Sequence, residues 1–186
     1  MQNMKVRVLA TCALLLAIAL IATEIRLFRM PQGGSVTLFR MLWLAIPGYF
    51  FGLRAGFMTG TAYGLARLIT ATYVIHPAQF ALDYFLAFAV FGVSGFFQGQ
   101  RYGLMSGVML GTLLRIAVST TSGVLFFVQF APDGTQNFWL WSLGVNAPVM
   151  LAELGMILVF ISIPPVSGAI EKMRLKVTAE NIKPQS

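Results

Sequence analysis

The chain has 186 residues, of which 58% are apolar and only 10% charged, with a formal net charge of +7 and a mean hydropathy of +0.79. Soluble domains run at about 45–50% apolar and about 25% charged residues, so a soluble fold could not cover its own surface, and disordered, collagenous and disulfide-framed chains are excluded as well. The apolar residues instead gather into runs of about 20, the length that crosses a hydrocarbon core.

In chain order the spans fall at roughly 8–24, 36–52, 55–74, 78–97, 103–129 and 138–163. The first follows Lys5 and Arg7 and stops at Glu24. It is long for a signal-peptide core and no convincing small-x-small cleavage site precedes Glu24, so it is read as a permanent span. Cys12 is a lone cysteine inside it, a small packing residue with no internal disulfide partner. The spans predict an all-α integral membrane protein of six transmembrane helices. Residues 1–170 form a membrane domain and 171–186 a short polar tail. Loops this short leave no room for a soluble catalytic domain.

Lys and Arg near span ends set membrane orientation. Lys5, Arg7, Arg54, Arg101, Lys172, Arg174, Lys176 and Lys183 hold eight of the thirteen basic residues and fall on one side. The first loop carries Arg26 and Arg29, and the third and fifth loops carry none. Both termini are therefore expected in the cytoplasm, and the basic surplus reflects topology and the anionic inner leaflet, not nucleic-acid binding. The polar outer loops, Met30 to Ser35, Ile75 to Ala78 and Ala131 to Asn137, suit a site for an external ligand.

Arg40, Arg67, Asp83, Arg115 and Glu153 lie within the spans. An ionised group facing lipid costs a few kcal/mol or more, so each must snorkel, pair or line a polar cavity. Arg40, Arg67 and Asp83 fall about 6 to 10 Å below the outer boundary, with Arg115 and Glu153 deeper as a candidate pair. Tyr84, Phe126, Phe127, Phe130, Phe138, Trp139 and Trp141 crowd the outer ends of spans four to six, in part as an interfacial belt. Asp83 and Asn146 share that depth. A carboxylate and a carboxamide among aromatic faces suit a flat, nitrogen-rich or cationic ligand.

Enzyme chemistry has no support. The chain has one histidine and one cysteine, no metal-ligand spacing, no phosphate-cradling glycine loop and no activated nucleophile. No cofactor or metal is expected. Gly56-x-x-x-Gly60-x-x-x-Gly64 and Gly103-x-x-x-Gly107-x-x-x-Gly111 are ridges that let helices approach closely. A self-sufficient channel or carrier would be expected to carry repeated halves or paired broken helices, and neither is evident.

Pro31 to Leu38, Gly52-Leu53-Arg54-Ala55-Gly56, the run His76 to Phe88, Ser122 to Phe127, and Trp141 to Asn146 resemble, in order and spacing, the thiamine-specific substrate-binding (S) component of the energy-coupling factor (ECF) vitamin transporters. The resemblance spans most of the chain, and His-Pro-x-Gln-Phe-x-Leu-Asp-Tyr is its most specific part.

The resemblance implies a multi-pass protein of a prokaryotic plasma membrane. It captures thiamine or a close relative, such as the hydroxymethylpyrimidine precursor, from outside and releases it through an ECF transmembrane coupling component and two cytoplasmic ATPase subunits. It implies that Ala13 and Ala17 dock that partner. It also implies that Asp83, Tyr84, Arg115, Ser119, Phe127, Trp141 and Asn146 form the binding site, with Gln79 and Gly34 close by. The chain departs from the family pattern at Ser119, where a histidine is usual, at Phe127, where a tryptophan can stand, and at Trp43, where proline is common.

Overall fold

A computed structural model describes residues 2–29, 34–69 and 76–182. Met30 to Gly33, the last residues of the expected third span (70–74), Ile75 and Lys183 lie outside the described residues. The order is α1 (Gln2–Glu24), β1 (Arg26–Arg29), β2 (Ser35–Thr37), α2 (Arg40–Phe51), α3 (Leu53–Ile69), α4 (Pro77–Phe97), α5 (Gly103–Phe126), α6 (Phe138–Ser162) and α7 (Pro164–Ile182). Among the described residues the regular structure is helical apart from one short strand pair.

Among the described residues four helices are long and apolar enough to cross a membrane: Val6–Glu24, Pro77–Phe97, Gly103–Phe126 and Phe138–Ser162. Their outward faces carry exposed Leu9, Leu14, Ile21, Met109, Leu113, Leu125, Leu151 and Val159, a pattern that suits lipid and not water. Helix α2, of 12 residues, is the buried axis, with nine of them buried.

The expected second span starts four residues too early, because Ser35–Thr37 is strand and α2 begins only at Arg40. β-Branched Val36 and Thr37 favour extended backbone, and β2 pairs antiparallel with β1 (Arg26 with Thr37, Phe28 with Val36, Arg29 with Ser35). Phe39, at φ 56°, turns the chain into α2. At the other end the helix runs on from Pro164 through the stretch expected as a polar tail from 171. Pro164 and Pro165 occupy its first turn, where their missing N–H groups cost nothing, and an Arg174–Glu171 ion pair one turn apart spans its middle.

Helix α4 is the irregular element. A short α-turn (Pro77–Phe80) is capped by the His76 Nδ1, which accepts from Ala78 N at 3.1 Å. A π segment (Ala81–Leu86) and a 3-10 stretch (Val90–Phe97) follow. Both glycine ridges pack on it. A Cβ at Gly60 or Gly64 would run into the carbonyls of Phe88 and Tyr84, and one at Gly107 into Ser94. These are the close approaches for which the ridges are read in the sequence. Helix α1 joins the bundle through buried Leu15 and Ala19 and through Thr23 Oγ1, which shares a 2.5 Å hydrogen bond with the Tyr63 hydroxyl. Cys12 is buried and free.

Candidate substrate-binding site

At the end of the bundle near the strand pair lies a cavity of about 520 Å³. Helix α4 contributes Asp83, Tyr84 and Phe88; α5 contributes Arg115, Ser119 and Gly123; α6 contributes Trp141, Ser142 and Asn146; Phe127 follows α5, and Gly34 and Ser35 come from the strand end. Of the residues assigned to the site in the sequence, Gly34, Asp83, Tyr84, Arg115, Ser119, Phe127, Trp141 and Asn146 thus meet on one surface. Gln79 is not on the wall. It is buried behind it, one turn before Asp83, and its Nε2 donates to Asp83 Oδ2 at 3.3 Å. Ala13 and Ala17 lie on α1, exposed and away from the cavity.

The π segment decides how α4 faces the cavity. In an α-helix, residues five apart are about 140° around the axis from one another, so Asp83 and Phe88 would face different ways. The wider i→i+5 ring of a π turn brings such residues near one side, and the Ala87 N–H does reach the Leu82 carbonyl. Phe88 therefore joins Asp83 on the wall. Phe88 was not among the sequence candidates, since an apolar ring read at the helical period gave no signal.

The ionisable residues pair differently from the expected grouping. Arg67, placed with the outer group, binds Glu24 at 2.6 Å. Glu153 pairs with Arg40 at 3.3 Å and not with Arg115. The cause lies in the start of α2. There Thr37 Oγ1 and Met41 N donate to the two Glu153 carboxylate oxygens at 2.9 and 3.1 Å, and Arg40 sits between them. Arg115 is buried with Nε and Nη1 lacking hydrogen-bond partners. Its guanidinium lies 4.3 Å from the centroid of the Phe88 ring, a cation–π contact that offsets part of the desolvation.

Asn146 Nδ2 donates to the Ser142 carbonyl at 3.0 Å. Ser142 Oγ in turn donates to Thr120 O at 2.9 Å. Gly123 makes this α5–α6 contact possible, because a Cβ there would strike Ser142 Oγ. With the Asn146 amide nitrogen committed to the helix, Oδ1 is the atom positioned to accept from a ligand.

A lipid-facing helical bundle that encloses a polar, aromatic cavity defines a membrane protein that binds a small molecule. The comparisons narrow this class. Residues 9–172 match the family model described as thiamine transporter protein (Thia_YuaJ). The chain is 38% identical over 136 residues to the thiamine transporter ThiT of Bacillus subtilis, covering 66% of this chain and 70% of the relative. It is 32% identical over 105 residues to ThiT of Lacticaseibacillus paracasei, covering 50% and 52%. A solved structure of ThiT from Listeria monocytogenes shares the fold at a TM-score of 0.68 and 23% identity, over 97% of this chain and 99% of that one. The chain belongs to the thiamine transporter protein family. It is a transport protein and not an enzyme, in agreement with the expectation from its sequence.

Proposed function

We propose that this chain is an S component that captures thiamine, or a close relative such as its pyrimidine precursor, at the cavity beneath the strand pair. The observation that carries the reading is the convergence of Asp83, Tyr84, Arg115, Phe127, Trp141 and Asn146 on one cavity, in a member of the thiamine transporter family. A volume of about 520 Å³ suits a small-molecule ligand. Asp83 and Asn146 Oδ1 accept from the amino-substituted ring, Tyr84, Phe127 and Trp141 stack on the ligand, and Arg115 meets its hydroxyl or phosphate tail.

The same reading has six spans with both termini in the cytoplasm of a prokaryotic cell, and a coupling component with two ATPase subunits that drive release. Arg54, Arg101 and Lys172 support that orientation. So does the Tyr49 hydroxyl, which donates to Glu171 at 3.2 Å and holds α7 at the end of α2 opposite the cavity. The exposed Ala13 and Ala17 on α1 are the proposed docking ridge, since small residues admit a partner helix at close range.

Tryptophan fluorescence of the detergent-purified protein, titrated with thiamine, its phosphates and its pyrimidine moiety, tests the site, because Trp141 lies on the wall. Saturable quenching by thiamine, with none by riboflavin or biotin, is expected; no response to any of the thiamine-related ligands overturns the reading. Thiamine uptake by this chain alone in ATP-depleted vesicles would overturn the coupling part.

A further inference from the structure

Three arginines and one aspartate face the cavity. Arg67 is answered by Glu24 and Arg40 by Glu153. Arg40 and Arg115 approach the same ring, with guanidinium carbons 6.0 and 4.3 Å from the centroid of Phe88. Only Arg40 has a carboxylate in contact. Glu153 is wholly buried at 0% exposure, and it accepts from Thr37 Oγ1, Met41 N and Arg40 Nη2. Arg115, 7% exposed, keeps Nε and Nη1 without partners.

Charges in a poorly screened site act on one another over several ångströms. With Arg40 cancelled, Arg115 and Asp83 are the two charges that a ligand meets. Taking the charge from Glu153 adds a positive charge beside Phe88, and taking it from Arg40 adds a negative one. Neither residue needs to touch the ligand for this to change which ligand is preferred.

We propose that the Arg40–Glu153 pair is a specificity device: by cancelling one of two guanidiniums at Phe88, it sets the cavity's charge so that a cationic ligand is taken in preference to its phosphate esters. The inference rests on the thiamine reading above. Glu153 is a positioning residue in this scheme, since it acts through Arg40.

The test measures Kd for thiamine and for thiamine monophosphate in the wild type, Glu153→Gln, Arg40→Gln and the double variant. Glutamine keeps one carbonyl oxygen for Met41 N, and its amide nitrogen replaces the oxygen to which Thr37 Oγ1 and Arg40 Nη2 donate, so the Thr37 hydroxyl must turn to accept while the charge on the pair is lost. The ratio Kd(monophosphate)/Kd(thiamine) is expected to fall about fivefold or more in Glu153→Gln, to rise by a similar factor in Arg40→Gln, and to return toward the wild-type value in the double variant. A merely structural role would weaken both ligands alike and leave the ratio unmoved. An unmoved ratio, or movement in one direction for both single variants, overturns the proposal. If Glu153→Gln does not fold, Arg40→Gln decides the matter alone, through the rise or its absence. A wild type that binds neither ligand sinks the thiamine reading itself, whereas a wild type that binds thiamine with ratios unmoved across the variants sinks only this inference.

Discussion

The Arg115 guanidinium lies over the face of the Phe88 ring, 4.3 Å from carbon to centroid, and two of its nitrogen atoms have no hydrogen-bond partner. The ring holds the cation where a hydrogen bond would otherwise be needed. A desolvated contact of this kind is worth about 2 kcal/mol. Phe88→Leu should therefore weaken ligand binding by roughly tenfold or more, while Phe88→Trp, which keeps a π face, should retain most of it. Fluorescence titration of the two variants makes the comparison, and equal losses would show that the ring acts only as packing.

Asp83 is held by Gln79 on its protein side and faces the cavity on the other. Asp83→Asn is isosteric and removes the charge, so affinity should drop at least tenfold, about 1.4 kcal/mol. An unchanged Kd would remove Asp83 from the site.

Gly64 lies where a Cβ would enter the Tyr84 carbonyl on the π segment. Gly64→Ala must push α3 from α4, at an overpacking cost of about 1–3 kcal/mol. It should also displace Asp83 and Tyr84 together. Thermal unfolding in detergent should show the loss of stability and titration a parallel loss of binding; an alanine variant that binds normally would contradict this close approach.

The Thr23–Tyr63 hydrogen bond joins α1 to α3 inside the bundle. Such bonds within membranes average about 0.6 kcal/mol. Tyr63→Phe should lower thermal stability by about that amount and leave ligand affinity within twofold of wild type, a result readable by unfolding and titration on one preparation.

On α7, Arg174 donates to Glu171 through Nε and Nη2, and the Tyr49 hydroxyl adds a third bond. The Arg174 hydrogen bonds hold the Glu171 carboxyl below its ordinary range. A depressed carboxyl contributes stability above its unfolded pKa of about 4.3 and loses it as the pH falls through the folded value. Glu171→Gln should thus be less stable than wild type at neutral pH, with the gap closing below about pH 4. Partial exposure keeps the effect small. Melting curves across the acid range follow it, and a gap constant with pH would assign the contact to packing.

Part of the site is legible in the sequence because charge inside an apolar run is conspicuous wherever the chain puts it. Asp83, Arg115 and Asn146 stand out on those terms, and all three line the cavity. Phe88 does not, because its place on the wall depends on the π segment, and one widened turn leaves no mark in an apolar run. The Arg40–Glu153 pair was equally hidden. Depth along the spans points to Arg115 as the partner of Glu153, and the pairing with Arg40 instead follows from the Thr37 and Met41 donors at the start of α2.

By itself the sequence determined the solvent this protein lives in, the glycine ridges on which its helices close, and the polar residues that cannot face lipid. Each of these follows from the free energy of single groups or short periods, which local sequence encodes. The tertiary structure alone decided that β1 and β2 pair, that α4 widens at Asp83, and which arginine Glu153 neutralises. These are relations between residues as many as 113 positions apart. Their energies depend on the distance and burial that packing creates.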